Sequence, residues 1–229
     1  MRIVNRFLGD GRGGVVSTSL SLPDNQLPGN PLLVLAHGAG AGMGHPFMTS
    51  IQERLTRRGL AVALFNFPYM ERGGRAPDRV AVLEDCYRAT VEQFRTDPML
   101  EGARLFLGGK SMGGRIATHL AAAGVVADGI VLLGYPLHPA GQRDRPRRAH
   151  LPAIAAPLLF IQGTRDSLCD LDDLQAVVAG LKAPTRVHVI DGGDHSFKVL
   201  KRSGRDEAAV LDEVADVCAT WVAKLAAGT

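Results

Sequence analysis

The sequence predicts an α/β fold in which a mostly parallel central sheet carries helices on both faces. Three observations lead to this prediction. Six short apolar runs, bounded by Gly, Pro or polar residues, are typical of buried strands. Stretches with apolar residues at helical spacing separate most of these runs, so strand and helix alternate. The length of 229 residues and the 46% content of hydrophobic residues fit one large domain, which we expect to span residues 1–229.

The predicted strands are short runs rich in Val, Leu, Ile and Phe. They cover residues 32–36, 60–65, 104–108, 130–134, 158–162 and 185–190. A weaker alternation over residues 15–22 predicts an additional edge strand. Because parallel strands place their carboxyl ends at the same end of a sheet, where open α/β sheets bind ligands, the loops after these strands are the candidate functional segments.

Each predicted helix presents one apolar stripe to the sheet. The stripes consist of Phe47, Ile51 and Leu55; of Val80, Leu83, Tyr87, Val91 and Phe94; of Ile116 and Leu120; of Leu171, Leu174, Val177 and Leu181; and of Val210, Val214, Val217, Trp221 and Leu225. Asp206 and Glu207 precede the last stripe and suit a helix N-terminus. Residues 136–157, which are rich in proline and arginine, show no long stripe and predict a surface excursion.

Charge is concentrated in one segment of this excursion. The net charge of +3 equals the charge of Arg143, Asp144, Arg145, Arg147 and Arg148, so the rest of the chain is neutral. A general nucleic-acid binder should spread basic residues over a face as wide as a groove, so we expect no nucleic-acid partner. Two interpretations of the segment remain open: a solvated loop, or a field that attracts an anionic substrate or an acidic partner.

The expected environment is the cytoplasm. Polar residues interrupt the apolar residues of the N-terminus before a secretory-type stretch forms, and the longest apolar runs are too short to span a bilayer. Neither export nor a membrane partner is predicted. Cys86, Cys169 and Cys218 are an odd number of cysteines without a close pair, which argues against a disulfide framework and against a cysteine-rich zinc site.

A G-x-S-x-G sequence follows the predicted strand 104–108 and precedes a predicted helix. Its residues are Gly109, Lys110, Ser111, Met112 and Gly113. This strand, turn and helix setting is that of a nucleophile elbow, which exposes a serine at the top of the sheet. Glycines flank the serine because the turn is tight and neighbouring backbone passes close to it. Ser111 is therefore the predicted nucleophile, and the Lys110 side chain beside it adds to any positive field.

A serine nucleophile needs a base, and the base needs an orienting acid. Asp166 follows the predicted strand 158–162, and His195 follows the predicted strand 185–190. The chain order Ser111, Asp166, His195 is the order of this elbow-containing fold, and the orders of other serine hydrolases do not match it. Other acids lie nearby: Asp170, Asp172 and Asp173 resemble helix-start residues, and Asp194 is adjacent to the histidine.

An oxyanion hole requires two backbone N–H groups near the nucleophile. Met112, directly after the serine, supplies the first. The small residues of loop 37–42 after strand 32–36 allow a second donor to face the substrate, and Ala39 is predicted for this role with Gly40 as the alternative. His37 is interpreted as a residue that shapes the loop rather than a ligand.

Two glycine-rich sequences resemble nucleotide-binding motifs but lack a required glycine. A phosphate-binding P-loop ending at 109–111 needs glycine at position 104, which is Arg104. A dinucleotide fingerprint starting at Gly38 needs glycine at position 43, which is Met43. One starting at Gly40 needs glycine at position 45, which is His45. The remaining histidines show no metal-site spacing. We therefore expect neither a cofactor nor a metal.

Together these motifs resemble the α/β-hydrolase superfamily over nearly the whole chain, from His37-Gly38 through Gly-Lys-Ser111-Met-Gly-Gly-Arg and Gln-Gly-Thr-Arg-Asp166 to Gly-Asp-His195-Ser-Phe. The sequence is similar to small uncapped hydrolases like dienelactone hydrolase, in a branch also marked by Gly134-Tyr-Pro-Leu-His-Pro. The resemblance implies a metal-free serine hydrolase without a large cap domain, with Ser111, Asp166 and His195 as nucleophile, acid and base. Dienelactone hydrolase uses a cysteine nucleophile, so its substrate is not carried over.

The predicted function is hydrolysis of a small-molecule carboxylic ester, or a related acyl bond, through an acyl-enzyme intermediate. The alternative is a catalytically silent scaffold that binds a protein partner, because animal relatives of the branch include a subunit of a chromatin-modifying complex. A damaged triad would favour the scaffold, whereas this sequence contains all three residues. The natural substrate and the oligomeric state stay open.

Overall fold

The computed structural model describes residues 1–228, in which one eight-stranded sheet lies between two layers of helices. The strands are β1 (Arg2–Gly9), β2 (Val15–Leu22), β3 (Leu32–Ala36), β4 (Ala61–Phe65), β5 (Leu105–Lys110), β6 (Gly129–Leu133), β7 (Leu158–Gly163) and β8 (Thr185–Ile190). They lie in the order β1-β2-β4-β3-β5-β6-β7-β8. β1 and β2 are antiparallel to their neighbours, and β3 to β8 are parallel. The predicted fold class is confirmed.

The helices cover both faces of the sheet. They are α1 (Pro46–Arg57), α2 (Pro68–Glu71), α3 (Val80–Arg95), α4 (Met112–Ala122), α5 (Leu171–Ala179) and α6 (Glu207–Ala226). Helices α1 and α6 pack on one face, and α2 to α5 pack on the other. The Asp206 side chain caps α6 by accepting a hydrogen bond from the Ala208 amide, as the sequence predicted for this N-terminus. No helix within residues 1–228 is long and apolar enough to cross a membrane.

The core strands are buried on both faces, which explains their continuous apolar sequences. In β3, Leu32 and Val34 belong to the cluster with α3 and α4, whereas Leu33 and Leu35 belong to the cluster with α1 and α6. Each fully buried side chain of this kind contributes about 1.5–3 kcal/mol to folding. Because every residue of β3 to β7 is buried, the register that aligns the carboxyl ends of these strands is fixed.

The predicted edge strand is not at the edge. Residues 15–22 form β2, but β1 pairs along its outer side and is the true edge strand, which was not predicted. The alternation in β1 is masked because its half-buried face carries Arg6 among apolar residues, while its outer face exposes Ile3 and Phe7. Arg6 is accommodated by an ion pair with the buried carboxylate of Asp97.

The chain between β6 and β7 is an excursion, as predicted. Residues 134–157 contain no α-helix and no strand, only one 3-10 turn at Leu151–Ala153. Leu137, Leu151 and Ile154 are buried, so the excursion packs against the body of the protein instead of forming a separate cap. The predicted end of the domain at residue 229 lies outside the described residues, and the assignment of a single domain stays a prediction.

The three cysteines are buried and unpaired. Burial raises the pKa of the Cys86, Cys169 and Cys218 thiols to about 12. These side chains are therefore poor nucleophiles and pack as small apolar groups.

Candidate active site

Three strand ends bring Ser111, Asp166 and His195 into hydrogen-bond contact. Ser111 directly follows β5, Asp166 follows β7 by three residues, and His195 lies in the loop after β8. His195 Nε2 is 2.8 Å from Ser111 Oγ, and His195 Nδ1 is 2.7 Å from Asp166 Oδ2. Because an ionised carboxylate only accepts hydrogen bonds, Nδ1 donates to Asp166 and Nε2 is left to accept the serine proton. The three residues that the sequence proposed for one site are therefore adjacent.

The elbow holds Ser111 in a strained backbone conformation. Its φ of 52° and ψ of −115° lie outside the regions that non-glycine residues favour. The Ser111 amide donates to Leu133 O at 3.0 Å, and α4 starts at the next residue. A Cβ atom on Gly113 would lie 2.2 Å from Ala36 O, so only glycine lets α4 approach β3 this closely. The turn thereby projects Ser111 Oγ from the end of the sheet.

Asp166 is held by three hydrogen-bond donors, and its side chain is fully buried. Leu168 N donates to Oδ1 at 2.8 Å, while His195 Nδ1 and Gln162 Nε2 both donate to Oδ2. Gln162 is itself buried, and its Oε1 accepts from Tyr135 N at 2.9 Å. Gln162 therefore links the chain after β6 to the carboxylate. The sequence interpretation missed it, although a glutamine in an otherwise apolar strand was a usable signal.

The other acids near the site have different partners. Asp170 caps α5 by accepting from the amides of Asp172 and Asp173. Asp194 Oδ1 accepts from two amides of its own loop, those of Ser196 at 2.7 Å and of Lys198 at 2.9 Å. Asp166 is the one that contacts His195.

The loop after β3 is shaped by His37. Its Nδ1 lies 2.8 Å from Gly38 O, and its Nε2 accepts from Phe67 N at 3.1 Å, so the buried imidazole is neutral. Burial lowers the pKa of His37 to about 4, and the bond to Gly38 opposes this effect only in part. Ala39 of this loop lines the same cleft as Ser111, whereas Gly40 is not among the residues of the cleft wall.

A cleft of about 910 Å³ opens in front of Ser111. Its wall combines apolar side chains with several charged ones. The residues that line it are Gly38, Ala39, Ala41, His45, Pro46, Phe47, Met48, Ser50, Arg54, Lys110, Ser111, Leu168, His195, Ser196, Lys198, Glu207, Ala208 and Leu211. The volume is that of a typical small-molecule site.

Three histidines away from the cleft wall have side-chain partners: His119 on α4, His150 before the 3-10 turn and His188 on β8. Nitrogen-to-oxygen distances of 2.8 Å join His119 to Glu84, His150 to Thr118 and His188 to Glu213. Within residues 1–228, no three His, Cys, Asp or Glu side chains are grouped so that they could hold a metal ion.

The comparison with known sequences decides the family. The family model described as the alpha/beta hydrolase domain matches residues 29–223. The chain belongs to the α/β hydrolase family. Its sheet order and its elbow after β5 are thus those of a hydrolase fold.

Solved structures of α/β hydrolases are similar over almost the entire chain. Dienelactone hydrolase from Anabaena variabilis is 19% identical over 96% of each chain, with a TM-score of 0.74. An α/β serine hydrolase without lid from Xanthomonas campestris is 21% identical over 94% of each chain, with a TM-score of 0.70. The esterase domain of a Rhodothermus marinus protein is 19% identical over 96% of this chain and 98% of that chain, with a TM-score of 0.73. These likenesses confirm the predicted uncapped α/β-hydrolase fold.

The basic segment of this α/β hydrolase does not reach the cleft. None of the four arginines at 143–148 is among the described residues of the cleft wall. Arg143 instead forms ion pairs with Asp170 at 3.1 Å and with Asp173 at 2.9 Å. Burial, together with the positive charge of Arg115, lowers the pKa of Arg147. The cationic residues that line the cleft are Arg54, Lys110 and Lys198.

Proposed function

We propose that this α/β hydrolase is a serine esterase, which cleaves a carboxylic ester through an acyl-enzyme intermediate. The observation that carries the proposal is the continuous hydrogen-bond chain from Ser111 through His195 to the buried Asp166. It begins at a strained serine on the wall of a cleft. Membership in a hydrolase family supports the reaction class.

Acylation begins at Ser111. His195 Nε2 takes the hydroxyl proton while Ser111 Oγ attacks the ester carbonyl, and the imidazolium that forms is stabilised by Asp166. Because Gln162 Nε2 and Leu168 N fix the Asp166 carboxylate, it holds the His195 ring in the tautomer that leaves Nε2 free to accept. His195 then gives the proton to the leaving alcohol, and the acyl group stays on Ser111.

Two backbone amides are proposed to stabilise the tetrahedral oxyanion. Met112 is the first residue of α4, so its N–H has no partner within the helix and carries the positive end of the helix dipole. Ala39 N is the second donor, since Ala39 lines the cleft and the preceding Gly38 approaches Ser111 closely. In a site that excludes water, each such donor contributes about 3–4 kcal/mol to transition-state stability.

Water completes the cycle. His195 removes a proton from the water that attacks the acyl-enzyme, and Ser111 Oγ leaves with that proton. A thioester or a lactone would be opened by the same groups, so the acyl bond type is a matter for substrate screening.

An anionic substrate is part of the proposal, with different residues from those that the sequence suggested. Lys198 is exposed on the cleft wall, and Arg54 lies on the same wall with an ion pair to Asp212. Glu207 is the single acidic residue among the described residues of that wall, so cationic side chains predominate. Such a wall favours an ester whose far end carries a carboxylate or a phosphate.

The decisive experiment compares Ser111→Ala with Ser196→Ala, because both serines line the cleft but it is Ser111 Oγ that lies 2.8 Å from His195 Nε2. Wild type and Ser196→Ala should react with a fluorophosphonate probe and hydrolyse short acyl esters, while Ser111→Ala should do neither. Loss of activity by a factor of about 10⁴ or more is expected for removal of a nucleophile. Folded wild-type protein that neither labels nor turns over a broad ester panel would refute the esterase and favour the scaffold.

A further inference from the structure

The side chain of Lys110 is buried beside the candidate nucleophile, which is unusual for a lysine. Its Nζ donates a hydrogen bond to the backbone carbonyl of His195. The same Nζ lies 5.8 Å from the centre of the Phe47 ring and 5.6 Å from that of Phe197, within the range of cation–π contacts. One carbonyl and two ring faces thus surround the three N–H bonds of the ammonium.

The backbone around Lys110 is shaped to allow these contacts. Gly134, at the end of β6, has a φ of 66°, and a Cβ atom there would lie 2.9 Å from Lys110 Nζ and 3.1 Å from His195 O. Any side chain at position 134 would therefore crowd Lys110 Nζ and His195 O and disturb the hydrogen bond between them. Phe197 also has a positive φ, of 64°, which is a genuine outlier for a bulky residue. This strained conformation accompanies the placement of the Phe197 ring against the ammonium.

We propose that Lys110 is a positioning residue that ties the backbone of His195 to the end of β5. The proposal rests on the esterase function proposed above. Ser111 is the next residue after Lys110, so the tie gives the nucleophile and the base one common anchor. The His195 ring is already held at Nδ1 by Asp166, but that contact alone does not prevent the ring from moving when the backbone of its loop moves. Holding the carbonyl adds a second point of attachment and keeps Nε2 directed at Ser111 Oγ.

The charge of Lys110 strengthens the tie. A hydrogen bond from an ammonium is about twice as strong as one from a neutral amine, and cation–π contacts require the charge. Burial lowers the pKa of Lys110 to about 8, and the negative charges of Asp166 and Asp194 oppose this effect. The ammonium is therefore present at neutral pH and lost in mild alkali. The other titratable or charged groups of the cleft wall are His45 and Arg54 beside or on α1, His195 and Lys198 after β8, and Glu207 on α6.

The first test replaces the ammonium by an apolar chain of similar length. Replacing a buried charge by an apolar side chain is often neutral or stabilising, so Lys110→Met should fold. With a neutral ester we expect its kcat to fall about 10- to 100-fold with KM nearly unchanged, as for a small misplacement of a catalytic group. Amide hydrogen exchange at Ser196 and Lys198, whose N–H groups donate to Asp194 Oδ1, should accelerate, because their loop loses one of its anchors. Lys182→Met, which removes an exposed lysine before β8, is the matched control and should keep wild-type kcat and exchange rates.

The second test uses pH. The kcat of wild type should decrease as pH rises through about 8, and this decrease should be absent in Lys110→Met. Unfolded lysine holds its proton up to about pH 10.5, so the unfolded state binds more protons between pH 8 and 10.5. The stability of wild type relative to Lys110→Met should therefore rise over that interval. Falling kcat with rising relative stability separates the role of Lys110 from alkaline unfolding.

The outcomes separate the two proposals. If wild type is an active esterase and Lys110→Met matches it in kcat, pH profile and hydrogen exchange, the positioning role is overturned and the esterase stands. If wild type neither labels nor hydrolyses esters, the esterase is overturned, and the exchange rates at Ser196 and Lys198 still decide whether Lys110 anchors the loop.

Discussion

Replacement of Gln162 by leucine tests how much the carboxylate of Asp166, the proposed catalytic acid, depends on a residue that the sequence motif does not include. Gln162 is completely buried at the end of β7 and connects two groups. Its amide nitrogen donates to Asp166, and its amide oxygen accepts from Tyr135 N at 2.9 Å. Leucine has a similar size and forms neither bond, so both partners lose a contact while the packing volume is kept.

The magnitude follows from the two lost bonds. A hydrogen bond to a charged group contributes about 1.5–3 kcal/mol, and an unsatisfied buried amide such as Tyr135 N costs about 1–3 kcal/mol. The apolar leucine recovers about 1–2 kcal/mol through burial. We expect the free energy of unfolding to fall by about 2–3 kcal/mol on these terms. Asp166 Oδ2 also loses its second donor, so His195 is oriented less firmly, and kcat should fall by about 10- to 100-fold, or about 1.4–2.7 kcal/mol in the barrier.

The assay pairs steady-state ester hydrolysis with urea unfolding, and Gln52→Leu is the matched control. Gln52 is also a buried glutamine, and its amide donates to Ser19 O at 2.8 Å and to Val62 O at 3.1 Å, away from the cleft wall. Gln52→Leu should lose a comparable stability and keep its kcat. Wild-type kcat in Gln162→Leu would show that Gln162 only supports the fold. An equal loss of kcat in both variants would show that any comparable destabilisation impairs the site.

Two further predictions concern charge and pH. Lys198→Gln should raise KM for esters with an anionic far end by about 5- to 10-fold, equivalent to about 1 kcal/mol for one partly exposed charge, and leave KM for neutral esters unchanged. Replacing the four arginines at 143–148 by glutamine should leave KM unchanged for both kinds of ester. If instead the arginine replacements raise KM for anionic esters and Lys198→Gln does not, the basic segment is the steering element. The folded pKa of His37 is about 4 and the unfolded value is about 6.5, so the unfolded state binds more protons between these values. The His37 contribution to stability should therefore fall by about 1.6 kcal/mol from pH 6.5 to pH 5, measured by urea unfolding, and this loss should be absent in His37→Gln. The pKa of His150 is also lowered to about 4, by burial and then by His119 and Arg115, so His150 acts in the same direction and keeps its part of the pH slope in His37→Gln. An unchanged pH slope in His37→Gln would contradict the assignment to His37.

The sequence predicts most of the fold because β3 to β7 are buried on both faces and are therefore continuously apolar. It does not predict β1, whose half-buried face includes Arg6, which is neutralised by Asp97, a residue distant in sequence. The sequence prediction also ended β5 too early, at residue 108 instead of at Lys110. Gly109 and Lys110 belong to the turn motif in sequence, but they continue the pairing with Leu132 and Leu133.

The sequence likewise predicts some residues of the candidate site and not others. Ser111, Asp166 and His195 were predictable because a short motif, the chain order and the strand ends constrain them together. Gln162 and Lys110 act through hydrogen bonds whose partners the sequence does not specify, and the bond from Lys110 spans 85 residues. For the basic segment, too, the sequence does not specify the partners. Its charge is local in sequence, but Arg143 is paired with carboxylates of the α5 region, so the linear charge overstates the field at the surface.

Three destabilising features of the molecule lie around His195, and their proximity is an argument for a functional site. Ser111 and Phe197 are the two non-glycine residues within residues 1–228 that have positive φ, and each such strain costs about 1–3 kcal/mol. The lowered pKa of the buried Lys110 means that its charged form is disfavoured in the fold by about 3 kcal/mol at neutral pH. Substitutions that relieve these penalties should stabilise the protein. A fold selected for stability alone would not keep these three penalties so close to His195, and their position supports the active site proposed above.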